Sequence, residues 1–231
     1  MRAEDESDWS LVQRLLIDLD LQDKRAVILG GGREAELKAQ KLADSGALTS
    51  VVAIHFTKGL KSLARGGRVK LIEMNPRDVA PFIENERPVV VFISTGRPGL
   101  DEELAKLGRS IGSLVCVVDT PVLNDFNMPA IAKLGSVRVA ISTGGKSPAM
   151  AKVLRRRIEK TIRLEDVLQV ELQDFIRGRI GRTLKSASAR KRMVYAIIQD
   201  DQVSRLLREE NLEGAKVRAG RIIRARVKGR D

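Results

Sequence analysis

One cysteine, one histidine and 3% aromatic residues leave this 231-residue chain short of the side chains that cross-link, ligate metals or stack on bases. The lone Cys116 rules out an internal disulfide and fits a reducing, cytoplasmic setting. With His55 as the only histidine, a zinc site built from His and Cys has too few ligands. The longest apolar run, Pro88 to Ile93, is strand-sized and far short of a membrane span. Met1 to Leu21, acidic and then amphipathic, does not read as a secretory signal. Scarce rings also count against single-strand nucleic-acid modules, which stack bases on aromatic side chains.

Positive charge is in excess, with 42 Lys and Arg against 30 Asp and Glu, a net +12 and a pI of about 10.2. Such a field attracts polyanions, whether nucleic acid, a membrane surface or a metabolite with many carboxylates. Charge alone does not choose among them. A hydrophobic content of 43% is ordinary for a soluble globular protein and supplies a core.

Strand-sized apolar runs alternate with helical patterns along the first half. Arg25 to Leu29 is a β-branched run ending in three glycines, and Glu34 to Ala43 follows at helical spacing, stopped by Gly46. Thr49 to His55, Val69 to Ile72, Val89 to Ile93 and Leu114 to Val118 read as further strands, with a helix over Glu102 to Ile111. This alternation predicts an α/β fold with a doubly wound parallel sheet. After Asp119 the pattern changes: one strand, Val137 to Ser142, precedes an arginine-rich helix from Pro148 to Glu159. From Leu164 everything is helix-like, punctuated by Gly178 and Gly181, and Lys216 to Arg230 reads as a frayed helix or mobile tail. The expected domains are 1–128, 129–162 and 163–231.

Three elements carry chemistry. Gly30-Gly31-Gly32-Arg33-Glu34-Ala35 satisfies G-x-G-x-x-A between a strand and a helix, the context of a dinucleotide-binding turn. Gly30 permits the tight turn, Gly32 lets a diphosphate approach the backbone, and Ala35 allows close helix–strand packing. The acid that usually ends the second strand is missing, and Ile54-His55 stands there instead, so NAD and NADP are not separated. Ala140 to Ser147 imitates a phosphate-binding P-loop, but Ala140 replaces its first glycine and only helix-like sequence follows; Ser147 as N-cap before Pro148 explains its end. Asp119 closes the apolar strand at the crevice where open α/β sheets bind ligands, placed to accept a proton, or else simply to form a turn before Thr120-Pro121.

Leu19-Asp20-Leu21, the triple glycine, Val117-Val118-Asp119, Asp125-Phe126, Pro129-Ala130 and Ile141 to Pro148 together resemble the siroheme-synthase family of precorrin-2 dehydrogenases, some of which are also sirohydrochlorin ferrochelatases. The resemblance implies a Rossmann domain, a small α+β dimerisation domain and a helical C-terminal domain in a homodimer. It implies that NAD is reduced as precorrin-2 is oxidised to sirohydrochlorin, with iron insertion as a second activity of some members. By the same matching, Asp119 is the catalytic residue. Gly30, Gly31, Gly32, Arg33, Glu34, Ile54, His55 and Thr95 fall at the cofactor, and Ser142, Thr143, Gly144, Gly145 and Lys146 at the tetrapyrrole. Two departures are Cys116, where the family often has Asn, and Ser94-Thr95-Gly96-Arg97 in place of its usual Ala-Thr-Asp-Asp turn.

The leading expectation is therefore a cytoplasmic, homodimeric precorrin-2 dehydrogenase with no metal site and no membrane contact. Its alternative is a non-catalytic dimeric protein of the same fold that binds a tetrapyrrole or a partner. Nucleic-acid binding through the basic helical end ranks below both.

Overall fold

The structure, a computed structural model, describes residues 14–228. It falls into two compact units, Arg14–Met128 and the residues from Pro129 onward. The acidic start of the chain and its last three residues lie outside the described residues.

The first unit is a five-stranded parallel sheet with helices on both faces. Its strands are β1 (Arg25–Leu29), β2 (Leu48–Ala53), β3 (Lys70–Glu73), β4 (Val90–Ile93) and β5 (Leu114–Val117), in the order β3-β2-β1-β4-β5. Alternation along β1 divides the core between the two faces. Ala26 and Ile28 pack with Ala35, Ala39 and Leu42 of α1 (Arg33–Asp44) and with Leu60 of α2 (Lys58–Arg65). Val27 and Leu29 pack with Ile83 of α3 (Ala80–Glu86) and with Leu100 and Leu104 of α4 (Pro98–Ser110). The order reverses between β1 and β4, which creates the crevice where such sheets take ligands.

The edge of β5 is closed by the chain that follows it. Asp125 N donates to Val115 O at 2.9 Å and its Oδ2 accepts from Val115 N at 2.8 Å, while Asn124 Oδ1 accepts from Val117 N at 2.6 Å. Arg109 Nε holds the other Asp125 oxygen at 2.9 Å, and Phe126 turns its ring edge onto Phe92, 5.4 Å between centroids. An edge strand thus has no bare ladder at these positions.

In the second unit, β6 (Ala130–Leu134) and β7 (Val137–Ile141) form an antiparallel hairpin. One face packs on α5 (Pro148–Thr161) through Ala132, Ile141 and Ala151. Four helices follow: α6 (Leu164–Thr183), α7 (Ala187–Ile198), α8 (Asp201–Arg208) and α9 (Leu212–Lys228). Their shared core includes Leu172, Ile176, Met193, Ile197, Val203, Leu207, Ala219 and Ile223.

Several boundaries differ from the sequence reading. Gly178 and Gly181 do not punctuate anything: α6 runs through both, because its buried Ile176 and Ile180 anchor that stretch against the other helices. Lys216 to Lys228 is part of α9 rather than a tail, held by Ala219 and Ile223 on its inner face. β2 ends at Ala53, leaving Ile54 and His55 in the turn beyond it. α3 and β6 carried too little periodic signal to be read.

Candidate functional site

The three glycines meet three different surroundings. Gly30 has φ +133°, and a Cβ there would lie 2.2 Å from Ser94 O, so the turn needs glycine on both counts. Gly31 leaves no room either: its Cβ would sit 1.8 Å from His55 O. Gly32 is the opposite case, exposed, with nothing within 4 Å of an added Cβ. It opens α1, and no side chain caps that helix. The first-turn amides and the open face at Gly32 make a cradle for an anionic group. Arg33 and Glu34 are exposed beside it, and Ala35 is fully buried against the sheet.

The wall next to this cradle is the β2–α2 connection. Thr57 N donates to Gly31 O at 3.1 Å, which ties the loop to the glycine turn. The Thr57 hydroxyl caps α2 through Leu60 N at 3.2 Å and donates to Glu36 Oε2 at 2.5 Å. His55 contributes its carbonyl to packing under Gly31, while Ile54 and His55 are themselves exposed. Sequence reasoning missed this latch because its partners lie about two dozen positions apart.

On the far side of β1, Ser94 N donates to Leu29 O at 2.8 Å and Val118 N to Ile93 O at 2.9 Å, so the strand ends are level. Asp119 is the next residue, exposed, on the same carboxyl edge as the glycines and two strands away, about 10 Å at the usual strand spacing. Thr95 donates to the buried Asp101 carboxylate at 2.5 Å and accepts from Arg97 N at 3.2 Å. Its hydroxyl proton is thereby committed to shaping the turn that opens α4. Cys116 is packed in the core beside Phe92 and Phe126, and burial pushes its thiol pKa up, against the weaker opposing pull of the Lys38 and Arg14 charges. It is a packing residue in this structure.

The loop Ser142 to Ser147 belongs to the second unit. Gly144 and Gly145 both have positive φ, Ser142 Oγ accepts from Gly144 N at 3.2 Å, and Thr143 Oγ1 accepts from Ser147 N at 3.1 Å. Ser147 caps α5 by accepting from Met150 N at 3.2 Å, with Pro148 in the first turn. Because β7 lies in an antiparallel hairpin, the loop is not the P-loop of a parallel sheet. Lys146 is exposed in it. Among the described residues, no group of three or more His, Cys, Asp or Glu could hold a metal ion, and no helix is long and apolar enough to cross a membrane.

The fold and glycine cradle of the first unit define a dinucleotide-binding module of the Rossmann type. Residues 17–130 match the family model for putative NAD(P)-binding, and residues 135–161 match that for the central part of a sirohaem biosynthesis protein. The chain is similar to siroheme synthases over most of its length. It is 28% identical over 198 residues to siroheme synthase from Escherichia coli O139:H28 and to that from Escherichia fergusonii, covering 85% of this chain and 42% of each of those proteins. The chain thus spans less than half the length of these relatives. Among solved structures, the one named "SirC, precorrin-2 dehydrogenase" has the same fold, with a TM-score of 0.72 at 19% identity, covering 90% of this chain and all of that one.

Proposed function

We propose that the chain is a precorrin-2 dehydrogenase of siroheme biosynthesis, oxidising precorrin-2 to sirohydrochlorin with NAD as acceptor. The observation that carries this reading is the open, uncapped glycine cradle on the same carboxyl edge as an exposed aspartate. The α1 amides at Gly32 to Glu34 bind the diphosphate, and the close approach of the His55 carbonyl to Gly31 fixes the height of the wall beside it. A nicotinamide bound in that crevice supplies a hydride acceptor. The oxidation removes a hydride and a proton from the macrocycle, and Asp119 takes the proton and passes it to solvent, to which it is open.

Ser142, Thr143, Gly144, Gly145 and Lys146 bind the substrate in this reading, supported by two exposed positive-φ glycines and by the exposed Lys146 cation beside them. A ring fringed with acetate and propionate groups also suits the net charge of +12. We read the protein as a cytoplasmic homodimer, with 1–128 holding the cofactor, 129–162 forming the subunit contact and 163–231 a helical domain.

The test is anaerobic incubation with precorrin-2 and either NAD or NADP, following sirohydrochlorin by absorbance, for the native protein and Asp119→Ala. We expect turnover with NAD, and a loss of about a hundredfold or more in the variant while NAD affinity stays unchanged. Undiminished turnover in Asp119→Ala removes the aspartate from the mechanism. Tetrapyrrole binding without turnover in the native protein points instead to a non-catalytic binding protein. Adding iron(II) to preformed sirohydrochlorin tests metal insertion separately.

A further inference from the structure

The helical unit carries an open groove of about 630 Å³ that none of the roles above employs. Lys191 and Tyr195 of α7 and Gln199 at its C-cap line it at four-residue spacing, which puts them along one side of the helix. Arg192 stands beside them, and Arg226 closes the groove from α9. Its one acid, Asp200, is already committed: it accepts from Arg218 Nε at 3.1 Å and Nη2 at 2.7 Å, and it caps α8 through Val203 N at 3.0 Å.

Lys191, Arg192 and Arg226 enter no ion pair among the described residues, although Arg155, Lys216 and Arg218 of the same unit do. Three cations without an acid partner around one groove concentrate positive potential there, which attracts an anion. The same lining includes Tyr195, the only tyrosine of the chain, 52% exposed. An exposed ring in a groove also lined by guanidinium and ammonium groups suits a flat, unsaturated ligand whose rim carries several carboxylates. A nucleic acid strand is the poorer match: it asks for a run of stacking rings along a track, and this groove has one ring and a carboxylate at its edge.

We propose that this groove is a docking site for the carboxylate-fringed macrocycle, with Lys191, Arg192 and Arg226 taking its acid side chains and Tyr195 lying against its ring. The inference rests on the reading that the protein's substrate is such a macrocycle, but it assigns residues that the family resemblance left without a role.

The test uses the full chain and uroporphyrin, a flat ring with eight carboxylates, titrated by the shift of its main absorption band. The variants are the double reversal Lys191→Glu with Arg226→Glu, and Tyr195→Ala. NAD affinity and the thermal midpoint serve as folding controls. The double reversal is expected to weaken uroporphyrin binding about tenfold or more, and Tyr195→Ala severalfold, with NAD affinity unchanged. Binding by the double reversal within twofold of the native protein overturns the groove and leaves the proposed reaction standing. Absence of any macrocycle binding by the native protein, precorrin-2 included, defeats the reaction first and the groove with it. Duplex DNA bound more tightly than uroporphyrin, and lost in the same variants, assigns the groove to nucleic acid and overturns the proposal.

Discussion

The Thr57 hydroxyl donates to the Glu36 carboxylate at 2.5 Å, joining the first turn of α2 to the helix that opens at the glycine cradle. The same oxygen caps α2, and the Thr57 backbone amide reaches Gly31 O. One residue therefore sets the position of the loop that carries Ile54 and His55. Thr57→Val removes the cap and the donor at similar size. We expect a loss of about 1 kcal/mol of stability, in line with other N-cap deletions, and a several-fold weaker NAD affinity. Calorimetric titration alongside thermal melting separates the two, and an unchanged affinity in a destabilised variant means the loop does not shape the cofactor site.

The glycines are expected to respond in opposite ways. Gly31→Ala places a methyl on the His55 carbonyl, with only backbone to yield, so it is expected to destabilise the fold by about 1–3 kcal/mol. Gly32→Ala meets open space at a negative φ and is expected to leave the melting temperature within a degree or two of the native value. The same methyl occupies the face that a diphosphate would approach, so NAD affinity in Gly32→Ala is expected to fall at least about tenfold. Full NAD binding by Gly32→Ala would place the cofactor elsewhere.

Much of this fold was legible because its signals are local. Arg25 to Leu29 and the glycines after it could be read to the residue, since a buried parallel strand is a continuous β-branched run and the turn demands glycine. β6 was not legible: Ala130-Ile131-Ala132-Lys133-Leu134 alternates weakly and leaves Ile131 exposed. α3 is only seven residues with a proline in its first turn. Gly178 and Gly181 misled because propensity is a local penalty of about 1 kcal/mol each, whereas the packing of Ile176 and Ile180 is a tertiary gain. At the site, the glycine turn and Asp119 announced themselves by position. The contacts that shape it did not, since Gly31 with His55 and Glu36 with Thr57 meet only once the sheet has formed.

Asp125, part of the Asp125-Phe126 pair that carries the family resemblance, is occupied on both oxygens, by Val115 N and by Arg109 Nε. Asp125→Ala leaves a strand amide without a partner at the sheet edge and frees the arginine. A loss of about 1–3 kcal/mol is expected, the usual cost of an unmade buried hydrogen bond. Denaturant unfolding measures it. Hydrogen exchange should show faster exchange of the Val115 amide, while a stability within 0.5 kcal/mol of native, about the scatter of neutral surface changes, would show that the edge re-forms without the carboxylate.

In the helical unit, the hydrogen bond from Arg218 is the main cause holding the Asp200 carboxyl below its ordinary value of 3.8, with the Val203 amide and the Arg218 charge acting in the same direction. A folded-state pKa below the unfolded one means that the folded protein prefers the ionised form. The stabilisation is complete at pH values above 3.8 and is lost as the pH falls through the lowered folded-state value. Asp200→Asn keeps an N-cap of similar strength for α8 but carries no charge for Arg218, so it isolates the ionic part. The variant is expected to be less stable than the native protein at pH 7, with the gap closing as the pH is taken down through the acid range. Asp200→Ala loses the cap as well, about 1 kcal/mol more, and that added loss persists at low pH because an uncharged Asp side chain still accepts from Val203 N. Melting curves for the three proteins across the acid range test the assignment. A gap between native and Asn variant that stays constant with pH would mean that Arg218 gains nothing from the charge on Asp200.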